Sequence, residues 1–219
     1  MPFLEDGFEI VQNVISTDEI ESITFEIEKY ESKGGGIRNA EKKIAPVKIL
    51  AESTKFISLA SHYLSAQASL VRAIIFIKST ENNWLVTWHQ DKTVTVSKKL
   101  DSPGWGPWSQ KDGVLHVQPP VEVLEKMVTF RVHLDESTES NGCLRLIPGS
   151  HKEGVMSQPS IDSYSKLHSA ISCEAPVGSA LIMRPHILHS SSKAKSTRPR
   201  RVLHLEYSSY KLPGGVEWA

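Results

Sequence analysis

The segment Trp88-His89-Gln90-Asp91 closes a short run of strand-forming residues, 84–89. In an extended chain residues i and i+2 project to the same side, so His89 and Asp91 can direct an imidazole and a carboxylate at one point. Such a pair is a preset bite for a metal ion, although on its own it is more often a solvated surface pair. A third donor is available in Arg184-Pro185-His186-Ile187-Leu188-His189, and the basic segment Arg198-Pro199-Arg200-Arg201 follows it. Two imidazoles and one carboxylate on a triangular face leave three metal positions open, which suits iron(II) binding a chelating co-substrate together with dioxygen. The same donors suit a catalytic zinc ion, which would need a general base beside it. A chelated keto acid needs a cation for its far carboxylate, and arginine is the side chain with the matching two-pronged geometry.

Taken in order, these residues resemble the phytanoyl-CoA dioxygenase family, within the iron(II)- and 2-oxoglutarate-dependent oxygenases. The resemblance is carried by Trp88-His89-Gln90-Asp91, by Asn141-Gly142-Cys143-Leu144 running into Pro148-Gly149-Ser150-His151, by Leu188-His189-Ser190, and by Arg198-Pro199-Arg200-Arg201. Asp6-Gly7-Phe8 and residues 15–20 resemble the family's usual start, so the likeness covers nearly the whole chain. It implies that His89, Asp91 and His189 ligate iron(II), that Arg200 clamps the C5 carboxylate of 2-oxoglutarate, and that O₂ is the oxidant. It also implies a double-stranded β-helix. Two positions depart from the family pattern: Ser179 follows Gly178 where Asp is commoner, and Met183-Arg184 stands before the distal histidine region where aromatic residues are commoner. Neither is a ligand position.

His186 and His189 are separated by an odd offset, so on a continuous strand they face opposite sides and one of them joins the metal. His189 stands at the family's Leu-His-Ser position; His186 reads as a histidine satisfied by backbone or water. Alternation places Arg200, Val202, His204 and Glu206 on one face and Arg201, Leu203, Leu205 and Tyr207 on the other, and the more polar face is the better site wall. Arg198 reads as a surface charge. In the strand 127–134, Phe130, Val132 and Leu134 form an apolar face, which turns Thr129, Arg131 and His133 the other way. Arg131 is therefore a candidate for the co-substrate pocket, with a solvated outer face as the competing reading. Trp88, Trp105, His116 and Gln118 are the candidate substrate contacts. His151 belongs to a turn whose Gly149 and Ser150 serve the backbone, and His62, His168, Lys42 and Lys43 read as surface.

The elements that must hold these groups are mainly β. A capping-box pattern at Ser16-Thr17-Asp18-Glu19 begins a helix carrying Ile20, Ile23 and Ile27 on one side and ending before the glycines at 34–36. A second helix over 54–65 aligns Phe56, Leu59, Ala60 and Leu64. Short β-branched or aromatic runs follow at 70–78, 84–89, 93–96, 127–134, 143–147, 180–183 and 201–207. Few helices intervene, which predicts a jelly roll with N-terminal helices packed outside. Residues 101–120 lack strand alternation and read as a long loop, a lid or substrate loop, with Trp105 and Trp108 as core cover in the competing reading. The expected organisation is one domain over 1–219, with 1–66 as mainly helical support and 67–210 as the jelly-roll core.

Across 219 residues, 25 Lys and Arg balance 25 Asp and Glu, so no global field recommends nucleic acid or an anionic membrane. The longest apolar run spans 73–77, far short of a membrane crossing, and no basic and apolar leader opens the chain. The 2 cysteines lack the number and spacing of a disulfide framework. A cytoplasmic enzyme is expected: a 2-oxoglutarate-dependent dioxygenase that hydroxylates a small organic metabolite and releases succinate and CO₂. The Asp91 carboxylate speaks against halogenation, which needs that metal position vacant for halide. A non-catalytic metal-binding jelly-roll module and a zinc-dependent hydrolase are the rival readings. Neither the substrate nor the oligomeric state has a signature in the sequence.

Overall fold

Ser16 opens the first long helix as its spacing predicts. Its hydroxyl accepts the Glu19 amide at 3.2 Å, and the Glu19 carboxylate accepts the Ser16 amide at 2.7 Å. In the computed structural model, which describes residues 2–30 and 35–219, this helix is α2. The described helices are α1 (Pro2–Asp6), α2 (Thr17–Glu28), α3 (Ala40–Lys43), α4 (Ala45–Ala51), α5 (Thr54–Leu64), α6 (Val121–Leu124) and α7 (Gln158–Leu167). The strands are β1 (Phe8–Val11), β2 (Gly36–Arg38), β3 (Ser69–Lys78), β4 (Val86–His89), β5 (Val94–Val96), β6 (Trp108–Lys111) and β7 (Val114–Val117). They continue as β8 (Met127–His133), β9 (Leu144–Leu146), β10 (Ile171–Cys173), β11 (Ala180–Met183), β12 (His189–Ser191) and β13 (Arg200–Ser208). Gly34 lies outside the described residues, and none of the described helices is long and apolar enough to cross a membrane.

The strands form a six-stranded sheet in the order β1-β11-β8-β13-β3-β2, a four-stranded sheet β10-β9-β12-β4 and a three-stranded sheet β5-β7-β6. The pairings are antiparallel. The six- and four-stranded sheets line one cavity between them, which is the jelly-roll arrangement expected.

Alternation in the large sheet separates two chemistries. Leu203, Leu205, Tyr207, Phe130, Val132, Ala73 and Ile75 face the helices, where they share one apolar core with Ile23, Val47 and Phe56. Phe56 meets Phe130 edge to face at 5.8 Å, and the Tyr207 hydroxyl donates to the Ala51 carbonyl at 2.7 Å. The register Arg200↔Lys78, Val202↔Phe76 and His204↔Ile74 puts these paired residues together on the inner face, and His204↔Arg131 adds β8 to it. That inner face is polar, and the site is built on it.

Three parts of the chain depart from the sequence expectation. Residues 101–120 contain the hairpin β6–β7, whose turn residues Asp112 and Gly113 have φ of 50° and 78°. Two successive positive φ values are what a tight hairpin turn requires, and Asp-Gly supplies them. The mainly helical N-terminal third also adds two strands that the sequence did not signal, β1 and β2, the two edges of the large sheet. β10 and β12 are too short, at 3 residues each, to show a period.

Candidate metal centre

His89 and His189 are directly paired across β4 and β12, with ring centroids 4.1 Å apart. One donor atom from each of His89, Asp91 and His189 falls within 4.8 Å of the others. Asp91 Oδ1 lies 3.6 Å from His89 Nε2, and Oδ2 lies 3.5 Å from His189 Nε2. The Nδ1 atoms are used elsewhere: that of His89 donates to the Thr87 carbonyl and that of His189 to the Ile187 carbonyl, each at 2.9 Å. With Nδ1 carrying the proton, each Nε2 keeps a lone pair aimed at the same point.

Backbone contacts fix these side chains. The Asp91 amide donates to the Pro185 carbonyl at 3.0 Å. Gln90 Nε2 reaches the carbonyls of Gly154 and His186, at 2.7 and 2.8 Å. Ser150 Oγ accepts the Leu188 amide at 2.9 Å, so the turn motif braces the residue before His189. Burial pushes His189 down to about 4, with Asp91 opposing. Burial alone would raise Asp91, yet the two imidazoles beside it hold its carboxyl far below the usual range. Burial alone would lower His89, yet its bond to Asp91, the charge of that carboxylate and the Thr87 carbonyl together raise it.

The triad shares a cavity of about 90 Å³ with Lys78, Arg131 and Arg200. All three cations are buried, and Asp91 is the one carboxylate among the described lining residues. Lys78 Nζ donates to Ser191 Oγ at 2.9 Å and to the Ser192 carbonyl at 2.6 Å. Burial and the neighbouring Arg200 and Arg131 push its ammonium down to about 8. Burial lowers both guanidinium groups to about 10, Arg131 with a further push from Arg200. Nε and Nη1 of Arg200, and Nε of Arg131, make no hydrogen bond among the described residues. His133, beside them on the inner face, is buried with both ring nitrogens unpartnered, and burial with the nearby Arg131 and Arg200 depresses it to about 3.

Arg131 is tied into a buried chain of side chains. Its Nη1 donates to His204 Nδ1 at 3.1 Å, His204 Nε2 donates to Glu206 Oε1 at 3.0 Å, and Arg72 Nη2 donates to the same oxygen at 2.8 Å. Arg72 Nη1 continues the chain to His116 Nδ1 at 3.3 Å. The two ends open on different spaces: Arg131 on the cavity beside the triad, Arg72 and His116 on a chamber of about 770 Å³. Phe76 and Trp84 line both spaces and form an apolar neck between them.

Of the candidate substrate contacts, His116 is on the chamber wall. Trp88 packs against Ile147 and Leu188 with the Arg145 guanidinium 5.7 Å above its ring. Trp105 packs with Trp108, Val71 and Trp218 in a separate apolar cluster, as the core-cover reading expects. The Gln118 backbone bonds Gly106 and Pro107. These three lie outside the described walls of both spaces. His186 is buried near His151 and away from the triad. Arg201 faces outward, with Nε 2.8 Å from Asp135 Oδ2, and Arg198 is exposed. Lys78, Ser191 and Trp84 line the same cavity and are the wall residues that sequence reasoning passed over.

The sequence profile of the phytanoyl-CoA dioxygenase (PhyH) family matches residues 3–202. The chain belongs to that family. A probable alpha-ketoglutarate-dependent hypophosphite dioxygenase of Stutzerimonas stutzeri is 24% identical over 94% of this chain and 76% of the relative. An iron/alpha-ketoglutarate-dependent dioxygenase of Aspergillus calidoustus, ausU, is 25% identical over 95% of this chain and 69% of the relative. The crystal structure of AviO1 from Streptomyces viridochromogenes Tue57 superimposes with a TM-score of 0.72 at 17% identity, covering 97% of this chain and 94% of that one. The protein is an iron(II)- and 2-oxoglutarate-dependent dioxygenase with the jelly-roll fold of its neighbours. Its residues fit both groups: two imidazole lone pairs and a carboxylate form an open-faced donor set for iron(II), and the unpartnered guanidinium atoms beside them are matched by a dicarboxylate.

Proposed function

We propose that His89, Asp91 and His189 hold the iron(II), that Arg200 with Lys78 and Ser191 takes the C5 carboxylate of 2-oxoglutarate, and that Arg131 faces the other end of the keto acid. The observation that carries this reading is the joint lining of one small cavity by three metal donors and three buried cations, two of which have unpartnered atoms. Three like charges in one buried pocket repel one another, and a dianion offsets that cost. When bound, the metal and keto acid supply the oxidative decarboxylation of 2-oxoglutarate by O₂ to succinate and CO₂, and the oxidising equivalent for a C–H bond.

The chain's own part is placement. Arg200 and Lys78 fix one end of the co-substrate, and the His204–Glu206 pair holds Arg131 in its rotamer. Phe76 and Trp84 keep water from the space between the centre and the chamber. The product reading is hydroxylation of a small organic molecule held in the chamber. The zinc hydrolase reading lacks its base, since Asp91 is the one carboxylate among the described residues of the cavity. We take 1–219 as one oxygenase domain braced by its N-terminal helices. We place it in the cytoplasm because Cys143 and Cys173 are both free and buried, as suits a reducing compartment.

The test is an anaerobic titration of 2-oxoglutarate into the iron(II) protein, followed by the metal-to-keto-acid absorption band. Saturable binding in the parent that is lost in Arg200→Ala supports the reading. No band in the parent, or an unchanged affinity in Arg200→Ala, overturns it.

A further inference from the structure

The large chamber beyond the Phe76 and Trp84 neck has polar and apolar parts in a definite order. On the inner face of β3, Lys78 belongs to the co-substrate pocket, Phe76 to the neck, and Ile74 and Arg72 to the chamber. At about 3.3 Å per residue, Arg72 lies roughly 13 Å along the strand from Phe76. The path away from the metal therefore runs from aromatic and aliphatic walls to a cationic end.

That end is built. Arg72 is buried and held from two sides, by Glu206 and by the Thr93 carbonyl, the latter at 2.9 Å from Nη2. Its Nε has no partner among the described residues. A guanidinium only donates, so His116 Nδ1 accepts from it, and the neutral imidazole must carry its proton on Nε2. Burial and the cations Arg72, Lys111 and Arg38 depress His116 to about 4, so it is neutral at ordinary pH. Nε2–H has no protein acceptor among the described residues. Arg38 and Lys111 also line the chamber, and Asn39 contributes a side-chain amide with no capping bond. Two carboxylates temper these charges: Glu81 on the wall, and Asp112, 3.7 Å from Arg38.

The interior behind the wall tips the balance. Lys78, Arg72, Arg131 and Arg200, four cations, are buried there against three carboxylates, Asp91, Glu206 and, beside Arg72, Glu41. A divalent metal and a dianionic co-substrate cancel each other, so the loaded interior keeps an excess of positive charge.

We propose that the chamber receives an organic anion whose carboxylate or phosphate group is held at the far wall by His116, Arg38 and Lys111 over the buried Arg72 guanidinium. Its apolar part lies along Ile74, Phe76 and Trp84, which brings a carbon to the neck beside the metal. This inference rests on the oxygenase reading above and names the substrate class for it.

Hexanoate, hexyl phosphate and the uncharged hexanamide test it. Their binding is measured by ligand-observed NMR on protein loaded with 2-oxoglutarate and with zinc in place of iron, so that no turnover occurs. At least one anion is expected to bind roughly ten-fold tighter than the amide. Which anion does so decides between carboxylate and phosphate. The advantage should vanish in Arg72→Met and fall about two- to five-fold in Lys111→Gln and Arg38→Gln, whose positions on exposed or half-exposed surface spare the fold. If Arg72→Met does not fold, the two rim variants decide. Equal binding of amide and anions, no anion binding, or an advantage unchanged in the variants overturns the proposal. Binding of 2-oxoglutarate is read in the same samples: its absence is a failure of the oxygenase reading, whereas its presence with no preference for anions refutes the anion site alone.

Discussion

The proposed co-substrate pocket and the chamber share β3 and the side chains of Phe76 and Trp84, yet they are built from different material. The pocket takes its groups largely from paired strands: His89 from β4, His189 and Ser191 from β12, Arg131 from β8, and Lys78 and Arg200 from β3 and β13. The chamber takes half of its wall from segments between strands, including Asn39 and residues 81–84. Strand register fixes side chains to within a fraction of an ångström, and connecting segments change at little cost to the sheet. On the proposed assignment, the metal and keto acid that the reaction always needs are held on register, and the selection of substrate is left to loops.

Breaking the register-built side should have the largest effects. His89→Ala, Asp91→Ala and His189→Ala should each lose stoichiometric iron(II) and nearly all succinate release, while His186→Ala keeps both; metal content and product assays check this. Retention of iron in His189→Ala would move the third ligand elsewhere. Next in size, Arg200→Ala should weaken 2-oxoglutarate by about 2–4 kcal/mol, or roughly 30- to 1000-fold. Arg201→Ala, which loses an outward pair with Asp135, should leave that affinity within about two-fold and cost on the order of 1 kcal/mol of stability in a denaturant melt.

A third effect depends on pH. The Lys78 ammonium is depressed to about 8 in the free protein, so below that pH it is charged and ready for a carboxylate. Above it, binding must first reprotonate the amine. The 2-oxoglutarate dissociation constant should be flat below pH 8 and rise by up to about ten-fold per pH unit beyond it. Lys78→Met should bind weakly at every pH, without the bend. The smallest effect belongs to the loop-built side: Asn83, which bonds the Ala194 backbone in both directions, shapes the chamber wall. Asn83→Ala should raise the substrate KM about two- to five-fold and leave the 2-oxoglutarate constant unchanged. A larger shift in the co-substrate constant would mean the two spaces are not separable.

The same division explains what could be read from the sequence. His89 and Asp91 are two apart where β4 ends, and alternation groups Arg200 with His204 and Glu206 on the more polar face and sets Arg131 opposite Phe130 and Val132. Lys78 ends an apolar run and carries no local signal; its place beside the cavity appears only when register sets it opposite Arg200, more than a hundred residues later. Ser191 is one serine among three in succession. The Arg72–Glu206 bond joins strands far apart in the chain, and no local period announces it. The β6–β7 hairpin is a different case, because Asp112-Gly113 between two runs containing Val and Trp is a recognisable turn signal. The surrounding glycines, prolines and tryptophans obscured it.

β4 carries two of the three candidate metal donors at or just past its end, yet it is the edge of its sheet, paired among the described residues to β12 alone and through a register shift between His189 and Ser191. An edge strand with one irregular neighbour is the part of a sheet most prone to fray and to pair with another molecule. A metal ion spanning His89, Asp91 and His189 would act there as a rivet between the last two strands. Metal-stripped protein should therefore show faster amide exchange along β4 and a greater tendency to associate edge to edge, so that chelation costs solubility as well as turnover.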